Sequence, residues 1–361
     1  MVTGRQRRRQ TDGEDPRTHA TIIRGQIDSR AGGPLRTKVG GPKCAVPLPR
    51  AKPAPSRPLM RVGIVGLGRM GSHLAEQAIE KGHSIVGFDP KGVPEPLVSK
   101  GVEAATSLPA LIDKLAPPRI VFLYVPHGEI TERVFSELLA GLGDGDVLVD
   151  GGNSHWRDSA RRAAGARRAG VQFLDVGTSG GVEGARRGAC FMVGGEPGAF
   201  TVVEPILRDL AVPEGLAHVG PAGAGHFAKL IHNAIEFGMV QAIGEGIELL
   251  VRSDYPYDLA ALFHNWAHGS VIRGWLVELM ERALRQSPSF DALSGYVEDT
   301  REVRWAVEYA LEKEVWIPVI AQSEMAFYRY RDPDSLTGKM IALLRHEFGG
   351  HPVHRTEPGP K

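Results

Sequence analysis

The feature that most constrains this chain is Gly66-Leu67-Gly68-Arg69-Met70-Gly71, a G-x-G-x-x-G element set between the β-branched run Arg61–Val65 and a helical pattern carried by Ala75 and Ile79. A strand that must turn at once into a helix needs a first glycine for the tight turn. A second lets the backbone approach a pyrophosphate, and a third lets the helix pack close on the strand. The helix N-terminus then points its unpaired N–H groups at an anion.

A second run, Ser84–Phe88, ends on Asp89, at the distance where a carboxylate accepts hydrogen bonds from adenosine ribose hydroxyls. Gly66, Gly68, Arg69, Met70, Gly71 and Asp89 are therefore candidates for holding a nicotinamide dinucleotide. A carboxylate at 89 repels the 2′-phosphate of NADP and favours NAD. Lys91, two residues on, can partly offset that repulsion, which leaves NADP open. Strands at 119–125, 146–150 and 171–175 alternate with helices from Glu129 and over 157–168, the pattern of an α/β Rossmann fold with a doubly wound parallel sheet. Shorter strands are expected at 189–193 and 216–219.

At 361 residues, with 42% hydrophobic and 24% charged residues, the chain has the length for two packed domains. No stretch approaches the roughly 18 apolar residues of a membrane helix and no secretory signal is present, so a cytoplasmic protein is expected. The net charge of +1 conceals an asymmetry, because residues 1–59 hold 13 Lys or Arg against 4 Asp or Glu and leave an acidic body. That head has no Phe, Tyr or Trp, is rich in Pro and Gly, and is expected to be a disordered basic extension. It could arise from a start assigned upstream of Met60, or be a polyanion-binding tail or a targeting peptide. Without aromatic residues for stacking, nucleic-acid binding is not expected of it. Cys44 and Cys190 lie far apart with no metal-ligand companion, and neither a disulfide framework nor a metal site is expected.

From Ala224 a helix of about 29 residues is expected, continuing through Met239, Ile243 and Leu249 and buried on most sides. At about 100° per residue, Lys229, His232, Asn233 and Glu236 fall near 0°, −60°, +40° and −20°, one polar stripe facing one cleft. Apolar periodicity near 257–267, 271–285, 300–312 and 317–329 makes the remainder nearly all α. The expected division is a dinucleotide-binding domain over 60–222 and an all-α domain over 223–355 for substrate and oligomer contacts.

Four motifs occur in one order: the glycine element, Asp150-Gly-Gly-Asn153-Ser154, Ser179-Gly180-Gly181, and Lys229-Leu-Ile-His232-Asn233-Ala-Ile-Glu236-Phe237-Gly238. Together they resemble decarboxylating 6-phosphogluconate dehydrogenases of the short-chain, NAD type, within the β-hydroxyacid dehydrogenase superfamily. The resemblance runs from about residue 60 to the end. It implies Lys229 as general base and later as the acid that polarises a keto oxygen, and Glu236 as the proton donor to C1. It implies Asn153, Ser179, Gly180, Gly181, His232 and Asn233 around the substrate, 6-phosphogluconate, with Val125 and Asn153 beside the cofactor. It implies no metal. By the same resemblance, Arg345 and His351 in the Arg345-His-Glu-Phe-Gly-Gly-His351 tail reach the substrate of a neighbouring subunit, in a homodimer or homotetramer. A pKa of Lys229 lowered by desolvation and cationic neighbours is expected with the base role.

Some positions depart from the family pattern. Phe237 stands where Tyr is usual, 300–305 replaces a glycine-containing stretch, Lys313–Trp316 replaces Gly-Val-Pro, and an arginine is expected at or near Phe327. Two other readings therefore stay open: a β-hydroxyacid dehydrogenase acting on an unphosphorylated acid without decarboxylation, and a non-catalytic nucleotide-binding protein.

Overall fold

The computed structural model describes residues 58–286, 297 and 301–331. The expected basic extension up to residue 57, Cys44, Arg345 and His351 lie outside the described residues. The first half alternates as β1 (Arg61–Val65), α1 (Arg69–Glu80), β2 (Ser84–Phe88), α2 (Glu95–Ser99), β3 (Glu103–Ala104), α3 (Leu108–Asp113), β4 (Ile120–Leu123), α4 (Glu129–Gly141), β5 (Val147–Asp150), α5 (Trp156–Arg168) and β6 (Gln172–Ser179). There follow α6 (Gly181–Arg187), β7 (Ala189–Gly195), α7 (Pro197–Leu210) and β8 (Ala211–Gly220), then α8 (Ala224–Val251), α9 (Leu259–Ala267), α10 (Trp275–Gln286), α11 (Glu302–Glu312) and α12 (Pro318–Arg331).

The strands form one sheet in the order β3-β2-β1-β4-β5-β6-β7-β8. β1 to β6 run parallel, β7 pairs antiparallel with β6, and β8 pairs parallel with β7. The expected Rossmann arrangement is thus present, followed by helices. The reversal at β7 is not visible in the sequence, because the alternation of side chains along a strand reads alike in either direction.

Period-two alternation divides β1 between two cores. Val62 and Ile64 join Leu74, Ala75, Ala78, Val203 and Ile206 on one face of the sheet. Val65 joins Leu111, Ile112, Phe135 and Leu138 on the other. With both faces covered, the carboxyl ends of the parallel strands are left open, and the order reverses between β1 and β4, the place where open α/β sheets bind ligands.

The first half of α8 is pressed onto β6 and β7 by glycines. A β-carbon on Gly225 would lie 2.4 Å from Asp175 O and 2.6 Å from Met192 O. Asp175, fully buried, caps this helix from β6, accepting bonds from Gly223 N–H (2.7 Å) and His226 N–H (2.8 Å). Two of the amides that every helix start leaves unpaired are satisfied in this way. Beyond Gly238 the expected burial of α8 holds only in part, since Met239 is 52% and Leu249 73% exposed. Ile243 and Ile247 pack on the cluster of Phe263, Val277 and Leu284 from α9 and α10, while the face carrying Met239 and Leu249 is exposed among the described residues.

α11 and α12 pack on α8 through Leu230, Ala234 and Ala306. An aromatic group fastens α11 to the sheet half: Trp305 meets His127 and His155 edge-on at 5.3 and 5.0 Å, and Tyr309 meets Trp156 and Phe227 at 5.6 and 4.9 Å.

Candidate active site

A cleft of about 1530 Å3 runs from the glycine element to α10 and α11. The three glycines of that element differ as their expected tasks require. A β-carbon would meet Tyr124 O at 2.4 Å on Gly66 and Gly66 O at 2.0 Å on Gly71, whereas on Gly68 it would meet nothing within 4 Å. Gly66 has φ +89°, a left-handed conformation that favours glycine. Gly68 is therefore the open cradle, with Arg69 and Met70 starting α1 beside it in the cleft wall. These residues fit a dinucleotide's pyrophosphate. Asp89, at the end of β2, accepts from Leu67 N–H and Lys91 N–H, both at 2.9 Å, so it also braces the glycine turn. Each of its oxygens keeps a lone pair for a ribose hydroxyl.

Val125 follows β4 and Asn153 follows β5, and both line the cleft. The turn bearing Asn153 is fixed from below. Asp150, 1% exposed, accepts from Gly152 N–H (3.1 Å), Ser154 Oγ–H (2.7 Å) and the buried Arg162 guanidinium (2.9 Å). Ser179 at the end of β6 and Gly180 and Gly181 at the start of α6 lie on the same wall. Gly180 and Gly181 adopt φ +114° and +58°, which turns the chain sharply at the cleft.

The expected polar stripe on α8 is brought together on the opposite side, where Lys229, His232, Asn233 and Glu236 all line the cleft. His232 bridges the two walls. Its Nε2 is hydrogen bonded to Ser179 Oγ (2.9 Å), and its Nδ1 lies 3.0 Å from Asn233 Oδ1 and 3.8 Å from Glu236 Oε2. The Lys229 amine titrates below its ordinary range because burial disfavours the ammonium, while Glu236, Glu302 and Cys190 act in the other direction. The cationic neighbours expected there are replaced by carboxylates; desolvation alone supplies the lowering.

Other cleft residues were not singled out from the sequence: Tyr124, His127, Thr178, Trp275, Arg301 and Glu302. In the sequence the segment 300–305 is marked only as a departure from the family pattern. In the fold, Asn153 Nδ2 donates to Glu302 Oε1 at 2.6 Å, a link across 149 positions that no local spacing could reveal. The two departures at 237 and 327 meet each other, with the rings of Phe237 and Phe327 4.7 Å apart.

Comparison with known proteins agrees with this architecture. Residues 61–220 match the family model described as the NAD binding domain of 6-phosphogluconate dehydrogenase, and residues 225–302 match that enzyme's C-terminal domain. The chain is 45% identical over 297 residues to "Putative 6-phosphogluconate dehydrogenase YqeC" of Bacillus subtilis, covering 82% of this chain and 100% of that one. It is 38% identical over 301 residues to the NAD(+)-dependent, decarboxylating 6-phosphogluconate dehydrogenase of Haloferax volcanii, again covering 82% and 100%. Of the longer Lactococcus lactis enzyme, 30% identical, it spans 65%. Two solved structures share the fold at 23% identity. Plasmodium falciparum 6-phosphogluconate dehydrogenase has a TM-score of 0.69, covering 83% of this chain and 67% of that one. Mycobacterium tuberculosis 3-hydroxyisobutyrate dehydrogenase has a TM-score of 0.61, covering 76% and 95%. With the nucleotide half and the first part of the helical half matched by family models and two relatives matched along their whole length, this chain belongs to the 6-phosphogluconate dehydrogenase family and carries that family's NAD-binding dehydrogenase fold.

Proposed function

We propose that this protein oxidises and decarboxylates 6-phospho-D-gluconate to D-ribulose 5-phosphate and carbon dioxide, a pentose phosphate pathway step, with NAD preferred over NADP. The observation that carries the reading is the shared cleft: a half-buried lysine of lowered pKa and a glutamate about two helical turns further along α8 face the Ser179–Gly181 turn, beside the open Gly68 cradle. The names of the relatives support the same substrate.

Gly66, Gly68, Arg69, Met70, Gly71, Asp89, Val125 and Asn153 would hold the dinucleotide, whose nicotinamide, when bound, accepts the hydride leaving C3. Lys229 in its neutral form removes the C3 hydroxyl proton. The ammonium so formed donates to the new keto oxygen, which draws electrons from the C1–C2 bond as carboxylate carbon leaves as carbon dioxide. Glu236 then gives a proton to the former C2 of the enediol, which becomes C1 of ribulose 5-phosphate. Asn153, Ser179, Gly180, Gly181, His232 and Asn233 position the substrate's carboxylate and hydroxyls. His232 is already held by Ser179, so the substrate meets a preset donor array.

Arg345 and His351, outside the described residues, are assigned by the family resemblance to a neighbouring subunit's substrate. The uncovered apolar residues Met239, Leu249, Trp316 and Val319 support a homo-oligomer that buries them. The boundaries near 60, 222 and 355 are retained as part of this reading.

One observation favours the alternative of an unphosphorylated β-hydroxyacid. The packed Phe237–Phe327 pair puts apolar rings at both positions where the family pattern leads one to expect a polar side chain. Initial rates of nicotinamide reduction by the full chain separate the readings, with 6-phosphogluconate or gluconate and with NAD or NADP. Turnover of 6-phosphogluconate with release of carbon dioxide is expected. Turnover of gluconate alone, without carbon dioxide, would replace the first reading by the second.

A further inference from the structure

We propose that Glu302 is a positioning residue for the chemistry at Lys229. It fixes the side chain of Asn153 on the cofactor wall and presents a carboxylate to the Lys229 amine from the helix opposite. The inference rests on the base role of Lys229 given above and adds a residue to it.

Glu302 opens α11 and is 8% exposed. A carboxylate in a helix's first turn is favourable wherever it points, because of the unpaired N–H groups there. A solvent-facing glutamate would serve that purpose, so burial against the cleft calls for a second cause. The placement is held from both sides. Arg301 just before it lies in the left-handed region at φ 70°, a conformation costly for a non-glycine residue that persists only where surroundings impose it. After it, Val303 and Ala306 are buried, and Trp305 packs on His127 and His155.

The contact with Asn153 has a defined polarity. An ionised carboxylate only accepts, so the Asn153 amide must turn its Nδ2 toward Glu302 Oε1 and its oxygen elsewhere. Asn153 thereby offers a fixed acceptor rather than a freely flipping amide. On the other side, Glu302 shares a small cavity, about 10 Å3, with Asn153, His226, Lys229 and Asn233. The groups bearing on the Lys229 charge come from three elements: Glu236 on its own helix, Glu302 on α11 and Cys190 on β7. Glu302 is the one among them that also touches the cofactor wall. Its negative charge stabilises the ammonium formed when Lys229 takes a proton, while burial keeps the amine neutral beforehand.

Two substitutions in the full chain separate charge from reach. Glu302→Gln keeps an acceptor oxygen but removes the charge. Glu302→Asp keeps the charge but shortens the arm to Asn153. The first readout is the pH dependence of Lys229 acetylation by acetic anhydride, followed by peptide mass spectrometry, which needs no substrate. The second is the pH profile of kcat/KM with KM and kcat separated, for 6-phosphogluconate and NAD. In Glu302→Gln the labelling midpoint and the acid limb are expected to move to lower pH by on the order of one unit. In Glu302→Asp the midpoint should stay and KM should rise roughly tenfold, as for loss of one charge-assisted hydrogen bond. Circular dichroism checks the fold of each, and either variant alone suffices if the other does not fold. An unmoved midpoint in Glu302→Gln, or an unmoved KM in Glu302→Asp, overturns the proposal. A shifted midpoint in a protein whose wild type ignores 6-phosphogluconate would count against the reaction assigned above and leave the pairing of Glu302 with Lys229 standing.

Discussion

Gly177 lies directly against Lys229: a β-carbon added to it would stand 2.5 Å from Lys229 Cβ and 2.8 Å from Gly225 O. Neither atom is the far end of a flexible side chain, so Gly177→Ala must lift α8 from β6. Overpacking of this kind costs about 1–3 kcal/mol, to be read from urea unfolding. Because the displaced element carries Lys229, His232, Asn233 and Glu236, kcat should fall by roughly 100-fold. A variant with lowered stability and normal kcat would show that the seat of α8 does not set the geometry of its polar stripe.

The same helix start gives a second test. Asp175 supplies both cap bonds from outside the helix, and Asp175→Ala leaves Gly223 N–H and His226 N–H without their acceptor in a dry site. A loss of about 2–3 kcal/mol is expected, above the usual cost of a lost surface cap because the amides are also desolvated. Asp175→Asn retains one acceptor oxygen and should lose less. Equal stability of Asp175→Ala and wild type in urea would contradict this account of the cap.

How much of this was legible beforehand depends on the range of the interaction. The strand, turn and helix around Gly66–Gly71 were readable because each glycine answers a local steric demand, and the α8 stripe because a 3.6-residue period is local too. β3, of two residues, is too short to carry a pattern. The reversal of β7 and the pairing of Asn153 with Glu302 depend on packing between distant segments. In the sequence residues 300–305 stand out only by replacing a glycine-containing stretch, and in the fold Trp305 anchors α11 on His127 and His155. The second half of α8 shows the converse: an apolar run predicts burial, yet among the described residues only Ile243 and Ile247 pack on α9 and α10 while Met239 and Leu249 are exposed.

Asp89 combines two tasks, and one ratio separates them. Asp89→Ala removes the acceptor of Leu67 N–H, so the glycine turn should loosen and KM should rise for both cofactors. Loss of the carboxylate also ends repulsion of a 2′-phosphate, so NADP should suffer less than NAD. The ratio of kcat/KM for NAD to that for NADP cancels the shared loosening and is expected to drop roughly tenfold, the size of one charged hydrogen bond. If the ratio stays at its wild-type value, Asp89 braces the turn without reading the ribose.

The assignment of Lys229 fixes both a magnitude and a pH direction. Burial lowers its pKa from the ordinary lysine value of 10.5, and only the neutral amine accepts a proton. Activity should therefore rise with pH through this lowered pKa, placing the acid limb of kcat/KM below 10.5. Lys229→Met keeps a similar apolar stem and removes the base, so kcat should fall about 100-fold to 10,000-fold with NAD binding unchanged. Lys229→Arg should be as inactive, because a guanidinium stays protonated at any working pH. Its retained positive charge separates proton transfer from simple electrostatic attraction of the substrate. Substantial activity in Lys229→Arg would remove Lys229 as the base and leave its charge as the contribution to be explained.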